Sequence, residues 1–157
     1  AAVRTLGIGP RSVERALNSF TGLAHRSQLV TELSGVVFIN DSKATNVDSA
    51  IKALETFAKV RWICGGEQKE EDISRLNNVL TNVEKAYVIG TDAAKFSSQI
   101  SCEFEICNTM DVAVKKAFND AKDGETVLLA PAAASFDQYR SFEERGRAFE
   151  LEIEKLV

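Results

Sequence analysis

Two polar loops in this chain carry residue types suited to holding a charged small molecule. Residues 40–46, Asn-Asp-Ser-Lys-Ala-Thr-Asn, follow the apolar run 36–39, and residues 131–137, Pro-Ala-Ala-Ala-Ser-Phe-Asp, follow the apolar run 127–130. Each loop precedes a stretch with helical periodicity, so each lies past the end of a predicted parallel strand, where open α/β sheets bind ligands. The N–H groups at the following helix starts favour anions, and the two loops together predict a site for a charged small molecule.

The loop at residues 40–46 admits a functional and a structural interpretation. Asp41 could accept a hydrogen bond from a ribose hydroxyl, Lys43 could bind a phosphate or a carboxylate, and Thr45 could donate its hydroxyl. The loop could equally begin a helix, with Asp41 and Ser42 as capping residues and Lys43 in solvent. The residue types alone leave both interpretations open.

Two further loops could contact the same ligand. Arg26 follows His25, the only histidine, and its planar guanidinium could hold a phosphate, although an ordinary surface position remains open. Gly65 and Gly66 would let the backbone approach a ligand closely, with Lys69 as a point charge, or they could form a simple tight turn. The P-loop pattern G-x-x-x-x-G-K-[ST] does not occur in these 157 residues.

The segment after residue 130 supplies a hydroxyl and a charged helix face. Ser135 lacks the G-x-S-x-G frame of a hydrolase nucleophile, which favours a carboxylate-binding hydroxyl. Arg140, Glu143, Glu144 and Arg145 are interpreted as a solvated helix face with local ion pairs. The Cys and His residues have no metal-ligand spacing, so no intrinsic metal site is predicted.

Composition excludes several classes of protein. With 157 residues, 45% hydrophobic and 27% charged, the chain is expected to be one soluble globular domain. The net charge of −4 without a basic stripe argues against nucleic acid as a partner. No apolar run approaches the ~18 residues of a membrane span, so no membrane association is expected. An odd count of three cysteines favours a reducing, cytoplasmic compartment.

Alternating helices and strands predict an α/β fold. Strands are predicted at residues 28–33, 36–39, 60–64, 86–89, 104–107 and 126–130, and helices at residues 11–20, 47–57, 70–80, 93–100, 112–121 and 140–156. The first two strands form a hairpin, which adds one antiparallel strand at a sheet edge. The remaining βαβ units predict a Rossmann-like, mostly parallel sheet with helices on both faces. Residues 1–157 are expected to form a single domain, with residues 1–24 as a helical lead-in.

The order of these motifs resembles one family of ligases. His25-Arg26, the run 40–46, Gly65-Gly66 with Lys69, the run 131–142 and Glu144-Arg145-Gly146 resemble the C-terminal domain of the D-glutamate-adding Mur ligases, the UDP-N-acetylmuramoylalanine–D-glutamate ligase family. The resemblance covers essentially the whole chain. The runs Asp-Ser-Lys-Ala-Thr-Asn and Ser-Phe-Asp-Gln are specific to this family among the Mur ligases.

The resemblance implies a reaction in bacterial peptidoglycan synthesis. ATP would phosphorylate the alanine carboxylate of UDP-N-acetylmuramoyl-L-alanine, and the amine of D-glutamate would attack the acyl phosphate. The family has three domains, of which this chain resembles the third; residues 1–24 would lead in from the central domain. That central domain would carry the P-loop and most Mg²⁺ ligands, so the isolated chain is expected to be inactive. A cytoplasmic monomer is expected.

The resemblance also implies which residues face the nucleotide. His25, Arg26 and Asp41 would bind it, with Asp41 at the ribose and Arg26 at the phosphates. Lys43 would lie between the nucleotide and the amino acid as a catalytic residue.

Four residues would hold D-glutamate if the resemblance is followed position by position. Thr45 and Lys69 would bind its α-carboxylate, and Ser135 and the backbone of Phe142 would bind its side-chain carboxylate. Each carboxylate would thereby have its own donors, which fits a mechanism based mainly on positioning. Two alternatives remain: a ligase domain like that of folylpolyglutamate synthase, and a non-catalytic nucleotide-binding α/β module.

Overall fold

The computed structural model describes residue 5, residues 7–20 and residues 22–157. The strands are β1 (Gln28–Leu33), β2 (Val36–Asn40), β3 (Val60–Gly65), β4 (Val83–Ile89), β5 (Phe104–Asn108) and β6 (Thr126–Leu129). The helices are α1 (Pro10–Ser19), α2 (Val47–Leu54), α3 (Ala93–Ser97), α4 (Met110–Asp120) and α5 (Phe142–Glu154), with a 3₁₀ helix at Ser74–Asn82.

One six-stranded sheet, in the order β1-β2-β6-β3-β4-β5, organises the described residues. β1 pairs antiparallel with β2 through a turn at Ser34 and Gly35, and all the other pairs are parallel. The predicted fold class, a mostly parallel α/β sheet with one antiparallel edge strand, is therefore confirmed. No described helix is long and apolar enough to cross a membrane.

The helices cover both faces of the sheet, because successive side chains of a strand point to opposite faces. In β3, Trp62 and Cys64 pack into the core under α2, the 3₁₀ helix and α3. Ile63, between them, packs into the core under α4 and α5. The near-continuous apolar character of β3, buried along its whole length, is what a central parallel strand requires.

Two segments differ from the periodicity-based expectation, residues 70–80 in helix type and start, and α1 in its burial. Residues 70–80 were predicted as an α-helix, but the regular part is a 3₁₀ helix that begins only at Ser74. Side chains compete here with helical bonding: Asp72 accepts from the N–H of Ser74, and Gln99 from the N–H of Ile73. α1 forms where predicted but has no buried residue. Residues 1–4, 6 and 21 of the predicted lead-in lie outside the described residues, and its origin in a preceding domain stays a prediction.

Candidate functional site

Three loops bring the sequence-predicted residues to the middle of one sheet edge. They follow β2, β3 and β6, which are neighbours in the order β2-β6-β3. Because these strands are parallel, their carboxyl ends meet on the same side. This is the position at which open α/β sheets bind ligands.

A pocket of about 190 Å³ opens between the three loops. It is lined by Lys43, Thr45, Lys69, Ala134, Ser135, Phe136 and Phe142. The lining includes Lys43 and all four residues that the resemblance assigns to D-glutamate. The pocket is smaller than the roughly 300–1,000 Å³ typical of drug-sized ligands, which suits a molecule the size of an amino acid.

Lysine and hydroxyl donors give the pocket an anion-binding character. Lys43 Nζ lies 4.1 Å from the ring centroid of Phe142, and Lys69 Nζ lies 5.5 Å from that of Phe136. These cation–π contacts hold the ammonium groups without neutralising their charge. Ser135, which also lines the pocket, is only 3% exposed. Such donors bind carboxylates through charge-assisted hydrogen bonds.

The N–H groups at the start of α2 are occupied by the protein itself. Asn46 Oδ1 accepts from the N–H of Ser49 at 2.9 Å, and Glu70 Oε1 accepts from the N–H of Val47 at 3.0 Å. The expectation that this helix start offers its N–H groups to an anionic ligand is wrong for these two groups. These two N–H groups are therefore not available to a ligand.

At the start of α5, the carbonyl of Phe142 is already bound. Ser42 Oγ donates to it at 2.7 Å, and Ser141 caps the helix by accepting from the N–H of Glu144 at 3.3 Å. The first N–H groups of a helix have no acceptor within the helix. The N–H of Phe142 is therefore the backbone group through which this residue could bind a carboxylate.

Arg145 is buried beside the pocket, so its assignment to a solvated helix face is wrong. It is 1% exposed and donates to the carbonyl and hydroxyl of Ser42, at 2.9 and 3.1 Å, and to the carbonyls of Ala133 and Ala134, both at 3.1 Å. Burial lowers its pKa to about 10. Its guanidinium ties the loops after β2 and β6 together, whereas Arg140 is exposed as predicted.

His25 is buried in a polar cluster that touches the pocket. It is 6% exposed, and its ring meets the ring of Phe142 edge-on, with centroids 6.3 Å apart. Asn40 Oδ1 accepts from the N–H of Ser42, which turns Asn40 Nδ2 towards His25 Nδ1 at 3.0 Å and Glu150 Oε1 at 2.8 Å. Asn40 Nδ2 also donates to the carbonyl of Gly146 at 3.1 Å, so this amide joins the loop at His25 to α5.

Arg26 and Asp41 lie at the border of the pocket and do not line it. Arg26 is exposed, and the partly buried Asp41 accepts from Ser27 Oγ at 3.4 Å. Burial raises the pKa of Asp41, while hydrogen bonds from Ser27 and the charge of Arg26 oppose the rise. The N–H of Lys43 donates to the carbonyl of His25 at 3.1 Å, which connects these border residues to the pocket loop.

No metal centre is built from the described residues, which contain no cluster of three or more His, Cys, Asp or Glu side chains able to hold an ion. The residues present thus do not fit Mg²⁺ by themselves. The three thiols are free, and burial raises the pKa of each, to about 11 for Cys102 and Cys107.

A six-stranded, mostly parallel sheet with a pocket lined by lysine and hydroxyl side chains at the ends of its central strands defines a Rossmann-like α/β domain. The chain belongs to the Mur ligase family: the family described as "Mur ligase, glutamate ligase domain" matches residues 25–133. It is 57% identical over 155 residues to the UDP-N-acetylmuramoylalanine–D-glutamate ligase of Ruegeria pomeroyi, covering 99% of this chain and 33% of that protein. The corresponding ligase of Roseobacter denitrificans is 55% identical, with coverages of 100% and 34%.

The chain thus spans about a third of the length of these relatives, corresponding to a C-terminal portion. Solved structures with the same fold include the Thermotoga maritima MurF ligase in complex with ADP, with a TM-score of 0.59, 20% identity, and coverage of 93% of this chain and 37% of that one. A Yersinia pestis bifunctional folylpolyglutamate synthase/dihydrofolate synthase with AMPPNP and Mn ion has a TM-score of 0.66, 20% identity, and coverages of 92% and 34%.

Sequence reasoning assigned no part in the site to Asn40, Ser42 or Arg145, although all three are buried around it. The sequence did contain an indication of their importance. Asn40 and Ser42 lie in the run 40–46, and Arg145 lies in Glu144-Arg145-Gly146, two of the runs that carry the family resemblance.

Proposed function

We propose that this chain supplies the D-glutamate site and one wall of the nucleotide site of an ATP-dependent amide ligase. The ligase would add D-glutamate to UDP-N-acetylmuramoyl-L-alanine through an acyl phosphate. The pocket that unites Lys43, Thr45, Lys69, Ser135 and Phe142 is the observation that carries this proposal. The names of relatives that are 55–57% identical support D-glutamate as the amino acid.

D-Glutamate has two carboxylates, and the pocket has two sets of donors. The ammonium of Lys69 and the hydroxyl of Thr45 would hold the α-carboxylate. The hydroxyl of Ser135 and the N–H of Phe142 would hold the side-chain carboxylate. Lys43 Nζ, which rests over the Phe142 ring, would add positive charge between the two groups.

Holding both carboxylates would leave the amine free to react. Its lone pair would attack the carbonyl carbon of the acyl phosphate, forming the C–N bond while the C–O bond to phosphate breaks. The nitrogen would lose a proton, and inorganic phosphate would leave. This chain's contribution would be positioning, since a fixed attack geometry can supply a large share of a barrier reduction.

The nucleotide would contact the border of the pocket. Arg26 is exposed and free to meet phosphate oxygens, and Asp41 is available for a ribose hydroxyl. His25 connects this border to the D-glutamate pocket through its edge-on contact with Phe142. Closure against another part of the ligase, which would bring the P-loop and most Mg²⁺ ligands, would complete the site.

The fold likeness to folylpolyglutamate synthase, at 20% identity, concerns the fold alone, so D-glutamate ligation remains the better-supported function. The proposal is tested with the ligase that contains this chain, supplied with ATP, Mg²⁺ and UDP-N-acetylmuramoyl-L-alanine. Phosphate release should require D-glutamate, and L-glutamate or D-aspartate should not replace it. Equal use of all three amino acids would contradict the proposal.

The isolated chain provides a second test. It is expected to release no ADP and to bind ADP only weakly, because Arg26 and Asp41 form one wall of a site. NMR titration of the 157-residue chain should move resonances near these residues only at high ADP concentration. A dissociation constant of micromolar or lower would favour the non-catalytic nucleotide-binding module instead.

A further inference from the structure

A carboxylate in the loop after β3 binds the N-terminus of α2, the helix that follows Thr45. Glu70 Oε1 accepts from the backbone N–H of Val47, the first residue of α2, at 3.0 Å. Glu70 directly follows Lys69, and Val47 comes two residues after Thr45. One hydrogen bond therefore joins the two loops that carry the proposed donors to the α-carboxylate of D-glutamate.

The backbone on both sides of Lys69 is anchored, while its side chain remains exposed. The N–H of Gln68 donates to Asp92 Oδ2 at 2.8 Å, and Gln68 Nε2 donates to the carbonyl of Glu70 at 2.7 Å. On the C-terminal side of Lys69, the side chain of Glu70 accepts from the N–H of Val47 in α2. Lys69 thus extends from a held backbone, and its ammonium is free to meet a ligand.

The position of Glu70 also governs where an anion can bind. A carboxylate at a helix N-terminus is stabilised by the helix dipole and by the unpaired N–H groups there. Glu70 takes this position at α2, together with Asn46. Two N–H groups of α2 are thereby occupied, and the side chains of Lys69 and Thr45 are the proposed donors to the ligand carboxylate.

We propose that Glu70 is a positioning residue for D-glutamate, and that its hydrogen bond to the N–H of Val47 sets the separation between Lys69 and Thr45. This inference rests on the proposed function. Among the described residues, Glu70 does not belong to the pocket lining, so it acts through Lys69 and not on the ligand itself.

The test uses steady-state kinetics of the ligase that contains this chain. Glu70→Ala is expected to raise KM for D-glutamate about five- to thirtyfold, which corresponds to the typical to high cost of losing a helix cap, with kcat and KM for the UDP substrate nearly unchanged. Glu70→Gln keeps a side-chain oxygen for the N–H of Val47 and should restore KM to within about threefold of the parent.

Asp48→Ala is the matched control. Asp48 lies in the first turn of the same helix and makes an exposed ion pair with Arg75 at 2.6 Å. Arg75 belongs to the 3₁₀ helix and not to the loop that carries Lys69. Its removal takes away the same kind of charge near the same helix end. A merely structural effect would appear in Asp48→Ala and Glu70→Ala alike, whereas the positioning effect should appear in Glu70→Ala alone.

Lys69→Ala separates this inference from the proposed function. If Lys69→Ala raises KM for D-glutamate and Glu70→Ala does not, the positioning role is wrong and the site assignment stands. If neither variant changes KM for D-glutamate, the proposed site itself fails. A Glu70→Gln enzyme as impaired as Glu70→Ala would also overturn the inference, because the hydrogen bond would then not be the cause.

Discussion

Glu67 and Ala134 exchange two backbone hydrogen bonds, with N–H to carbonyl distances of 3.0 and 2.9 Å. This short antiparallel bridge joins the loop after β3 to the loop after β6. Lys69 lies two residues beyond Glu67, and Ser135 directly follows Ala134. The bridge thereby brings Lys69 and Ser135, the proposed donors to the two carboxylates of D-glutamate, into one pocket.

Gly66 permits this bridge, and its replacement is the first prediction. Its φ is +134°, and an added Cβ would lie 2.2 Å from the carbonyl oxygen of Ala134. Gly124 is a matched control with a φ of +80° and no atom within 4 Å of an added Cβ. Gly124→Ala should cost about 1–2 kcal/mol for its left-handed backbone, and Gly66→Ala about 1–3 kcal/mol more for the clash.

Urea unfolding of the two glycine variants measures both costs as changes in the free energy of unfolding. Equal losses would show that the loops after β3 and β6 can separate freely, and that the Glu67–Ala134 bridge does not hold them.

Arg145→Ala should be strongly destabilising, whereas Arg140→Ala should not be. Removal of the buried guanidinium leaves the carbonyls of Ser42 and Ala133 without this donor, and each buried unsatisfied acceptor costs about 1–3 kcal/mol. The carbonyl of Ala134 also loses this donor but keeps the N–H of Glu67. We expect a loss of about 3 kcal/mol or more in the free energy of unfolding, against about 0.5 kcal/mol or less for exposed Arg140.

Arg145→Lys should recover only a small part of that loss, because an ammonium cannot reproduce the planar fork of donors. Chemical denaturation of the three variants, Arg145→Ala, Arg145→Lys and Arg140→Ala, provides the comparison. Similar stabilities for Arg145→Ala and Arg140→Ala would contradict a structural role for the buried guanidinium.

Lys69→Ala and Ser135→Ala should each weaken the use of D-glutamate and leave KM for the UDP substrate nearly unchanged. A hydrogen bond to a charged group is worth roughly 1.5–3 kcal/mol, so kcat/KM for D-glutamate should fall about 10- to 150-fold. Lys69→Ala should be the more damaging of the two, since it removes a full charge. Wild-type kinetics in both variants would exclude the two-carboxylate arrangement.

Asp41→Asn should lower the affinity of the ligase for nucleotide and raise the stability of the folded chain. Burial raises the pKa of Asp41 in the folded protein, so its ionised form opposes folding, and this cost is relieved as the pH falls through the folded pKa. Asp41→Asn is therefore expected to raise Tm at about pH 8 and to lose that advantage at about pH 3. Thermal unfolding at both pH values checks the sign, and a lower Tm at about pH 8 would contradict it.

The prediction from sequence was most accurate where the physical cause is local. The hairpin from Gln28 to Asn40 depends on strand-forming residues around Ser34 and Gly35, and both strands lie where they were predicted. The loops that line the pocket could be named in advance because parallel strands place their following loops at one edge, whereas Phe142 was named only through the family resemblance. Their assignment to D-glutamate remains a prediction of the family resemblance.

Contacts between distant segments could not be inferred from the pattern of residues. Arg145 meets Ser42 across 103 positions of the chain, and Glu70 meets Val47 across 23. An arginine among glutamates on a helix has the same local pattern whether it faces water or a buried ring of carbonyls. The strands, the turns and the site loops were determined by the sequence alone. Only the tertiary structure decided which charges are buried, because burial depends on how the helices pack against the sheet and not on local periodicity.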